Sequence, residues 1–194
     1  MGWFTVLVFR NIPQSLCVFS GLSEKNMMYK IILSGDGGQG IQTLSYLICN
    51  TAFKNNLEVS HIPNYGLEQK GGVSMAYIKI SYEKNKYSQR GMPCGYPKFS
   101  KPDLLLIMSD QARERTSEYN QEGVEIVDIK DYIDFFKENN VEPYSRNVFF
   151  LSLISEMLEK KEIIKKQEIF EALEQKLSKK RWWEENKRVF SLKH

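Results

Sequence analysis

The segment "YKIILSGDGGQGIQTLSYLICNTAFKNN" at residues 29–56 constrains the fold most, because it predicts a strand, a tight turn and a helix in direct succession. Residues 29–35 are almost continuously apolar, which is typical of a strand that is buried on both faces. After the turn, apolar residues recur at helical spacing and define one face of an amphipathic helix: Ile41, Leu44, Leu47, Ile48 and Ala52. A buried strand that leads into such a helix indicates an α/β fold.

The rest of the chain continues this alternation. Four more strands are predicted, at residues 57–62, 72–81, 103–109 and 124–129, with a polar helix near 110–120. Apolar residues at helical spacing in 146–160 and 165–180 make the last third helical, and we expect these helices to pack on the sheet. The fold class predicted is a three-layer α/β/α arrangement with a mixed, mostly parallel sheet and a helical C-terminal third.

The first 27 residues do not continue this pattern. Their apolar run "WFTVLVF" at residues 3–9 is shorter than a membrane span, and Arg10 follows it where a secretory signal would carry charge in front. We expect residues 1–27 to be an extension outside a domain at 28–194, with Met27 or Met28 as the natural start. An added edge strand or a partner-binding tail is the alternative.

Cysteine usage and charge narrow the class of protein. Cys17, Cys49 and Cys94 are widely spaced and form no CxxC pair, so neither a disulfide framework nor a metal or iron–sulfur centre built from this chain alone is expected. This usage favours a reducing cytoplasm. A net charge of +3, with basic and acidic residues interleaved, gives no argument for nucleic acid. For "KLSKKR" beside Trp182 and Trp183, a solvated helix end is favoured over an RNA-binding surface.

The glycine turn fits the pattern G-x-G-x-x-G through Gly35, Gly37 and Gly40, at a position where backbone N–H groups can receive a phosphate. A dinucleotide site is disfavoured, since residues 61–63 ("HIP") stand where an acid should bind a ribose and Asp36 puts a negative charge in the loop. A P-loop is excluded, because Ile-Gln replaces the required Lys-Ser or Lys-Thr. Ligand contact and a purely structural turn both remain open.

A second glycine motif, "YGLEQKGG" at residues 65–72, accompanies the first. Together with "GDGGQG" at 35–40 it resembles the gamma subunit of the 2-oxoacid:ferredoxin oxidoreductases, whose patterns are G-x-G-G-Q-G and Y-G-x-E-x-R-G-G. The resemblance spans most of the chain from Met28. It includes "PDLLL" at 102–106, an asparagine leading into the apolar helix 147–158, and a late Glu185-Asn186 pair. Lys70 replaces the family's usual arginine and Leu67 its frequent proline; lysine keeps the charge but loses the two-pronged contact.

The resemblance implies an accessory role in a known reaction. Enzymes of this family, which act on pyruvate, ketoisovalerate, 2-oxoglutarate or indolepyruvate, decarboxylate a 2-oxoacid oxidatively on thiamine diphosphate. They pass electrons through [4Fe-4S] clusters to ferredoxin and release an acyl-coenzyme A. Thiamine diphosphate, Mg²⁺ and the clusters are expected in partner alpha and beta subunits and, where present, a ferredoxin-like delta subunit. Coenzyme A is expected at the interface, and the chain alone should be inactive.

Both glycine motifs contribute to the predicted cofactor-binding site. Its residues are Gly35, Gly37, Gly38, Gln39, Gly40, Thr43, Lys70, Gly71 and Gly72. No catalytic residue is predicted, because His61 and His194 have no carboxylate or cysteine nearby in sequence. A stand-alone nucleotide- or phosphate-binding module that uses the same turn is the alternative function.

Partner contacts are predicted in two loops, 63–72 and 83–100. Both are rich in tyrosine and glycine, and they carry the apolar residues Tyr65, Leu67, Met92 and Tyr96. Neither a membrane nor nucleic acid is expected among the partners.

Overall fold

The computed structural model describes residues 28–65, 72–82 and 94–193. Within these ranges five strands form one sheet in the order β2-β3-β1-β4-β5. The strands are β1 (Met28–Asp36), β2 (Glu58–Tyr65), β3 (Val73–Ser81), β4 (Leu104–Ile107) and β5 (Glu125–Asp128). The α-helices are α1 (Ile41–Lys54), α2 (Asp110–Arg115), α3 (Ile133–Glu138), α4 (Arg146–Lys160), α5 (Lys166–Leu177) and α6 (Trp183–Phe190). Short 3-10 helices occupy Ser117–Tyr119, Ile129–Tyr132 and Pro143–Ser145.

The sheet is mixed, as the sequence predicted. β1 lies at its centre, parallel to β4 and antiparallel to β3. β5 continues the parallel side, and β2 pairs antiparallel with β3, so four strands share one direction and β3 opposes them. β3 is reversed because only residues 66–72 separate it from β2. That is too short for a crossover helix, so the two strands can pair only as antiparallel neighbours.

β2 is longer than its sequence pattern indicated. The prediction ended this strand at residue 62 and began a loop at Pro63, but the strand continues to Tyr65, and Pro63 pairs with Ala76. Proline is tolerated there because β2 is the outermost strand of the sheet, where a missing N–H removes no bond to a further strand.

The main core lies on one face of the sheet. The predicted apolar faces of α1 and α4 are buried there, and α5 and α6 complete the layer. The opposite face has a smaller core under α2, in which β3 contributes Met75 and Tyr77. Ala76, Ile78 and Ile80 of β3 point to the main core instead, so the predicted two-sided alternation of this strand is confirmed.

The C-terminal helices differ from the prediction. Residues 178–182 are exposed, as expected for a solvated helix end. The predicted helix over 165–180, however, ends at Leu177, and a second helix begins at Trp183. Trp183 is buried, and its ring lies 6.1 Å from that of Phe170, which in turn lies 5.2 Å from Phe190. These aromatic contacts fold α6 back onto the main core. No helix in the described part of the chain is long and apolar enough to cross a membrane.

A buried ion pair ties β5 to α2. Both carboxylate oxygens of Asp128 accept from the guanidinium of Arg113, at 2.7 Å each, and one of them also accepts from the Lys130 amide at 3.0 Å. Burial alone would raise the pKa of Asp128, but the hydrogen bonds from Arg113 and Lys130, together with their charges, hold this pKa below its usual range. Asp128 therefore stabilises the fold in its ionised form.

We expect Arg113→Ala to destabilise the protein by about 2–3 kcal/mol at pH 7, because it leaves Asp128 buried without its partner. The folded pKa of Asp128 is depressed, so this stabilisation is fully present above the unfolded value near pH 4 and is lost as the pH falls through the folded value. Urea unfolding at pH 7 and at pH 3 measures the difference. Lys137→Ala, which removes an exposed pair with Asp134, is the control and should cost less than about 0.5 kcal/mol. Equal losses for Arg113→Ala at both pH values would contradict this account.

Candidate functional site

The glycine turn lies at a topological switch point of the sheet. β1 and β4 are parallel neighbours, but α1 leaves β1 toward the main core and α2 leaves β4 toward the opposite face. Helices that diverge in this way leave a crevice at the carboxyl ends of the two strands, which is where ligands bind in open α/β sheets. The turn at residues 36–40 therefore stands where the topology favours a binding site.

The structure brings the two glycine motifs together. The amide of Gly37 donates a hydrogen bond to the carbonyl of Gly72 at 3.0 Å, and Asp36 pairs with Val73 at the end of the β1–β3 ladder. The first motif is thereby fixed against the last residue of the second. Lys70 and Gly71 lie outside the described residues.

Gln39 is used partly by the turn itself. Its Oε1 accepts from the Asp36 amide at 2.8 Å, and a Cβ on Gly35 would come within 2.5 Å of that oxygen. The Nε2 of Gln39 and the hydroxyl of Thr43 make no hydrogen bond with any described residue. The Thr43 amide donates to the Gly40 carbonyl at 2.9 Å, which closes the first turn of α1. Gln39 therefore holds the turn in shape and still has a donor to offer.

Gly38 and Gly40 are required for different reasons. Both have positive φ, 96° and 82°, which L side chains rarely adopt. A Cβ on Gly38 would meet nothing within 4 Å, whereas one on Gly40 would overlap the Nδ2 of Asn147. Gly40 is thus confined by close packing, while Gly38 is exposed and presents bare backbone to the crevice.

Asn147 is a site residue that the sequence prediction missed. It lies in the first turn of α4, so its contact with Gly40 brings the N-terminal ends of α1 and α4 together. Neither of these two helices has an acidic residue in its first turn, whereas α2, α3, α5 and α6 each have at least one. The dipoles of the two helices, with no acidic residue in either first turn, therefore favour an anion at this point. The asparagine before an apolar helix was visible in the sequence, but its contact with the turn was not.

Two charged side chains, Arg146 and Asp36, lie beside the glycine turn. Arg146, next to Asn147, holds its guanidinium over the ring of Phe136 at 5.1 Å, and its buried Nε has no hydrogen-bond partner in the described part of the chain. Asp36 is directed to the other side, where one of its oxygens accepts from the hydroxyl of Ser109 at 2.6 Å. Ser109 also caps α2 by accepting from the Ala112 amide. The one carboxylate in the turn is thus engaged with the loop after β4.

Other reactive groups lack the surroundings that catalysis needs. Burial raises the pKa of Cys49 to about 12 and also raises that of Cys94, so both thiols stay protonated at neutral pH. Burial lowers the pKa of His61, whose Nε2 has no hydrogen-bond partner among the described residues. Within those residues no three histidine, cysteine, aspartate or glutamate side chains cluster closely enough to hold a metal ion. Cys17 and His194 lie outside them.

A cavity of about 520 Å³ lies away from the turn, between the C-terminal ends of α1 and α4 and the start of α5. Three glutamates contribute to its walls: Glu159, Glu162 and Glu168. Lys165 also lines the cavity, so the lining keeps a net negative charge, which disfavours an anionic ligand there.

A family model described as "Pyruvate ferredoxin/flavodoxin oxidoreductase" matches residues 30–192. This match covers most of the chain, including both glycine motifs, so the chain belongs to this family. The resemblance to the family's gamma subunit is confirmed by the relatives that the chain matches.

Among these relatives is the 2-oxoglutarate synthase subunit KorC of Methanocaldococcus jannaschii, which is 30% identical over 131 residues. The matched region covers 67% of this chain and 65% of that protein. The fold is similar to that of the keto/oxoacid ferredoxin oxidoreductase gamma subunit from Geobacter sulfurreducens, with a TM-score of 0.61 and 20% identity, over 84% of this chain and 94% of that one.

The fold is also similar to part of a 2-oxoglutarate:ferredoxin oxidoreductase from Magnetococcus marinus, described with 2-oxoglutarate, coenzyme A and succinyl-CoA bound. The TM-score is 0.66 and the identity 22%, over 86% of this chain but only 30% of that one. At such identities the likeness shows the fold alone. The predicted three-layer α/β fold class is confirmed.

Substituting the two positive-φ glycines should distinguish how much close packing and how much backbone strain contribute to the free energy of unfolding. We expect Gly38→Ala to lower the free energy of unfolding by about 1 kcal/mol, the cost of a left-handed alanine. Gly40→Ala should lose about 1 kcal/mol more, because its methyl group also forces the amide end of Asn147 out of its position. Adding Asn147→Ala to Gly40→Ala should recover part of that loss, measured by urea unfolding. If the two glycine variants are equally stable, the close contact with Asn147 does not constrain the turn.

Proposed function

We propose that this chain is the accessory gamma subunit of a thiamine-diphosphate-dependent 2-oxoacid:ferredoxin oxidoreductase that converts a 2-oxoacid to an acyl-CoA. The observation that carries the proposal is the hydrogen bond between Gly37 and Gly72, which joins the two family motifs at the switch point of a chain that matches this family. The relatives support it, since they are named as subunits or parts of 2-oxoacid oxidoreductases.

In this role the chain contributes binding surface and no catalytic group. The protonated thiols and the isolated His61 support this assignment. Thiamine diphosphate, Mg²⁺ and the [4Fe-4S] clusters belong to the partner alpha and beta subunits and, where present, the delta subunit, and electrons leave the complex to ferredoxin. The compartment that this chemistry fits is the cytoplasm.

The glycine turn binds an anionic, phosphate-bearing part of coenzyme A in this proposal. The exposed backbone of Gly37 and Gly38 allows a close approach, and the two helix N-termini without acidic residues favour negative charge. Gln39 and Thr43 add side-chain donors, and Lys70 with Gly71 completes the site from the second motif. The coenzyme A described for the Magnetococcus marinus enzyme supports this choice of ligand.

Co-expression tests the assignment of the chain to a complex. The tagged chain, expressed with the subunits encoded beside it, should purify as a brown complex that reduces ferredoxin in the presence of a 2-oxoacid and coenzyme A, while the chain alone is colourless and inactive. A colourless chain that never joins the other subunits yet binds a nucleotide by itself would establish the alternative, a stand-alone phosphate-binding module.

A kinetic comparison tests the ligand. In the assembled enzyme, Gly38→Ala should raise the Michaelis constant for coenzyme A by about tenfold, because its methyl group stands where the ligand approaches the backbone. Gly123→Ala is the matched control: its φ of 79° is also positive, but it lies before β5, at the opposite edge of the sheet. Both variants should lose similar stability, and only Gly38→Ala should change the coenzyme A dependence. If the Michaelis constant is unchanged in Gly38→Ala, the glycine turn does not bind coenzyme A and has only a structural role.

A further inference from the structure

Two aromatic side chains contact each other at the protein surface. Tyr144 lies in the 3-10 helix before α4, and Trp182 lies directly before α6. Their ring centroids are 4.5 Å apart, yet the two residues are 43% and 44% exposed. The guanidinium of Arg181 lies 4.6 Å from the centre of the Trp182 ring. Exposed aromatic side chains that touch each other form an apolar patch of the kind that marks interaction sites.

The same patch carries a net positive charge, because its three basic residues outnumber the flanking exposed carboxylates of Glu142 and Glu184. Lys179, Lys180 and Arg181 are consecutive and exposed, and none of them forms an ion pair with any residue in the described ranges. Arg188 of the nearby helix α6 differs, since it pairs with Glu185 at 2.7 Å. We call the five residues Tyr144, Lys179, Lys180, Arg181 and Trp182 the aromatic–basic surface.

The backbone that carries this surface is rigidly braced. The hydroxyl of Ser145 donates to the buried Asn186 at 2.9 Å, which connects the residue after Tyr144 to α6. Arg188 donates to the carbonyls of Asn139 and Asn140 at 3.0 and 2.9 Å. Trp183, next to Trp182, is buried in the main core. An interface that is already ordered in the free protein loses little conformational entropy on binding, which favours affinity.

We infer that the aromatic–basic surface docks an acidic patch on a partner subunit, with Trp182 and Tyr144 as the apolar anchors and the three basic side chains as the charged rim. Tryptophan, tyrosine and arginine are the residue types most enriched where binding energy concentrates. Charge complementarity specifies the acidic character of the partner. The inference rests on the proposed function, because it requires that the chain work inside a complex, and it adds a third surface to the two predicted loops.

The location of the surface favours a partner that also reaches the glycine turn. Tyr144 precedes Asn147 by three residues, and Asn147 contacts Gly40. Of the loop residues predicted for partner contact, Tyr96 is 70% exposed, whereas Leu67 and Met92 lie outside the described residues.

Nucleic acid fits the surface less well. Single-stranded nucleic acids bind by stacking bases on open aromatic faces. Here the rings of Tyr144 and Trp182 are in tilted contact with each other, and Arg181 lies against Trp182 as well. A nucleic acid carries a continuous row of phosphates that could not avoid the exposed carboxylates Glu142 and Glu184, whereas separate carboxylates on a partner protein can face the basic side chains alone. A protein surface with carboxylates and an apolar side chain meets these constraints.

The experiment compares matched variants in the co-expressed complex. Arg181→Glu and Trp182→Ala should each raise the dissociation constant for the partner subunits by about tenfold or more, measured by mass photometry over a dilution series. Arg115→Glu reverses an exposed arginine that forms no ion pair with a described residue and lies on the other face of the sheet. Tyr46→Ala removes an exposed aromatic ring of α1. Both controls should stay within about twofold of wild type. Circular dichroism melting verifies that all four variants fold.

Two further readouts identify the partner chemistry. Wild-type affinity should fall as salt rises, with a weaker dependence in Arg181→Glu. A zero-length carbodiimide should crosslink Lys179 or Lys180 to an aspartate or glutamate of a partner subunit. If wild type assembles and folded Arg181→Glu and Trp182→Ala assemble equally well, this inference is wrong while the proposed function stands. If wild type never assembles, both fail. Binding of fluorescent oligouridylate that Arg181→Glu abolishes, with assembly unchanged, would instead assign the surface to RNA.

Discussion

The close approach of Asn147 to the backbone of Gly40 sets the arrangement of this end of the molecule. It lets α4 begin directly against the start of α1, so both helices run from the same edge of the sheet. Phe149 and Phe150 follow Asn147 and pack with Phe136 at ring distances of 5.0 and 5.9 Å. A side chain at Gly40 would displace the amide end of Asn147 and so remove the contact by which the starts of the two helices meet.

Periodicity made the elements with a buried face predictable. The residues predicted to face the core on α1 and α4 are buried, because a helix that covers a sheet must repeat its apolar residues every three to four positions. α6 was missed because it is only eight residues long and joins the core through Trp183, Val189 and Phe190, too few positions to define a period. The extent of β2 was missed because Pro63 signals a strand end unless the strand is known to lie at an edge.

The candidate site was predictable only in part, because its contacts join residues that are far apart in the sequence. The glycines could be recognised in the sequence, but the role of each depends on what faces it across the fold. Gly40 faces Asn147, more than a hundred positions later, whereas Gly38 faces open space. The late Glu185-Asn186 pair shows the same limit. In the structure Asn186 accepts from Ser145 and Glu185 pairs with Arg188, so both residues brace the chain around α6. One motif can therefore contain both a glycine that the packing requires, Gly40, and a glycine that is open to a ligand, Gly38.

The helix N-termini differ in whether a carboxylate compensates their positive dipole end. At the start of α5, Glu168 accepts from the Lys165 amide at 3.1 Å and from Asn55 at 2.7 Å, so that helix end is compensated by its own carboxylate beside the acidic cavity. The starts of α1 and α4 have no such carboxylate, and Arg146 adds charge of the same sign as their dipoles. Uncompensated positive ends weaken a helix unless an anion meets them. The glycine-turn edge is therefore a place where an anionic ligand or an acidic partner can balance positive charge. Lys179, Lys180 and Arg181, which form no ion pair with a described residue, carry a similar excess of positive charge on the neighbouring surface.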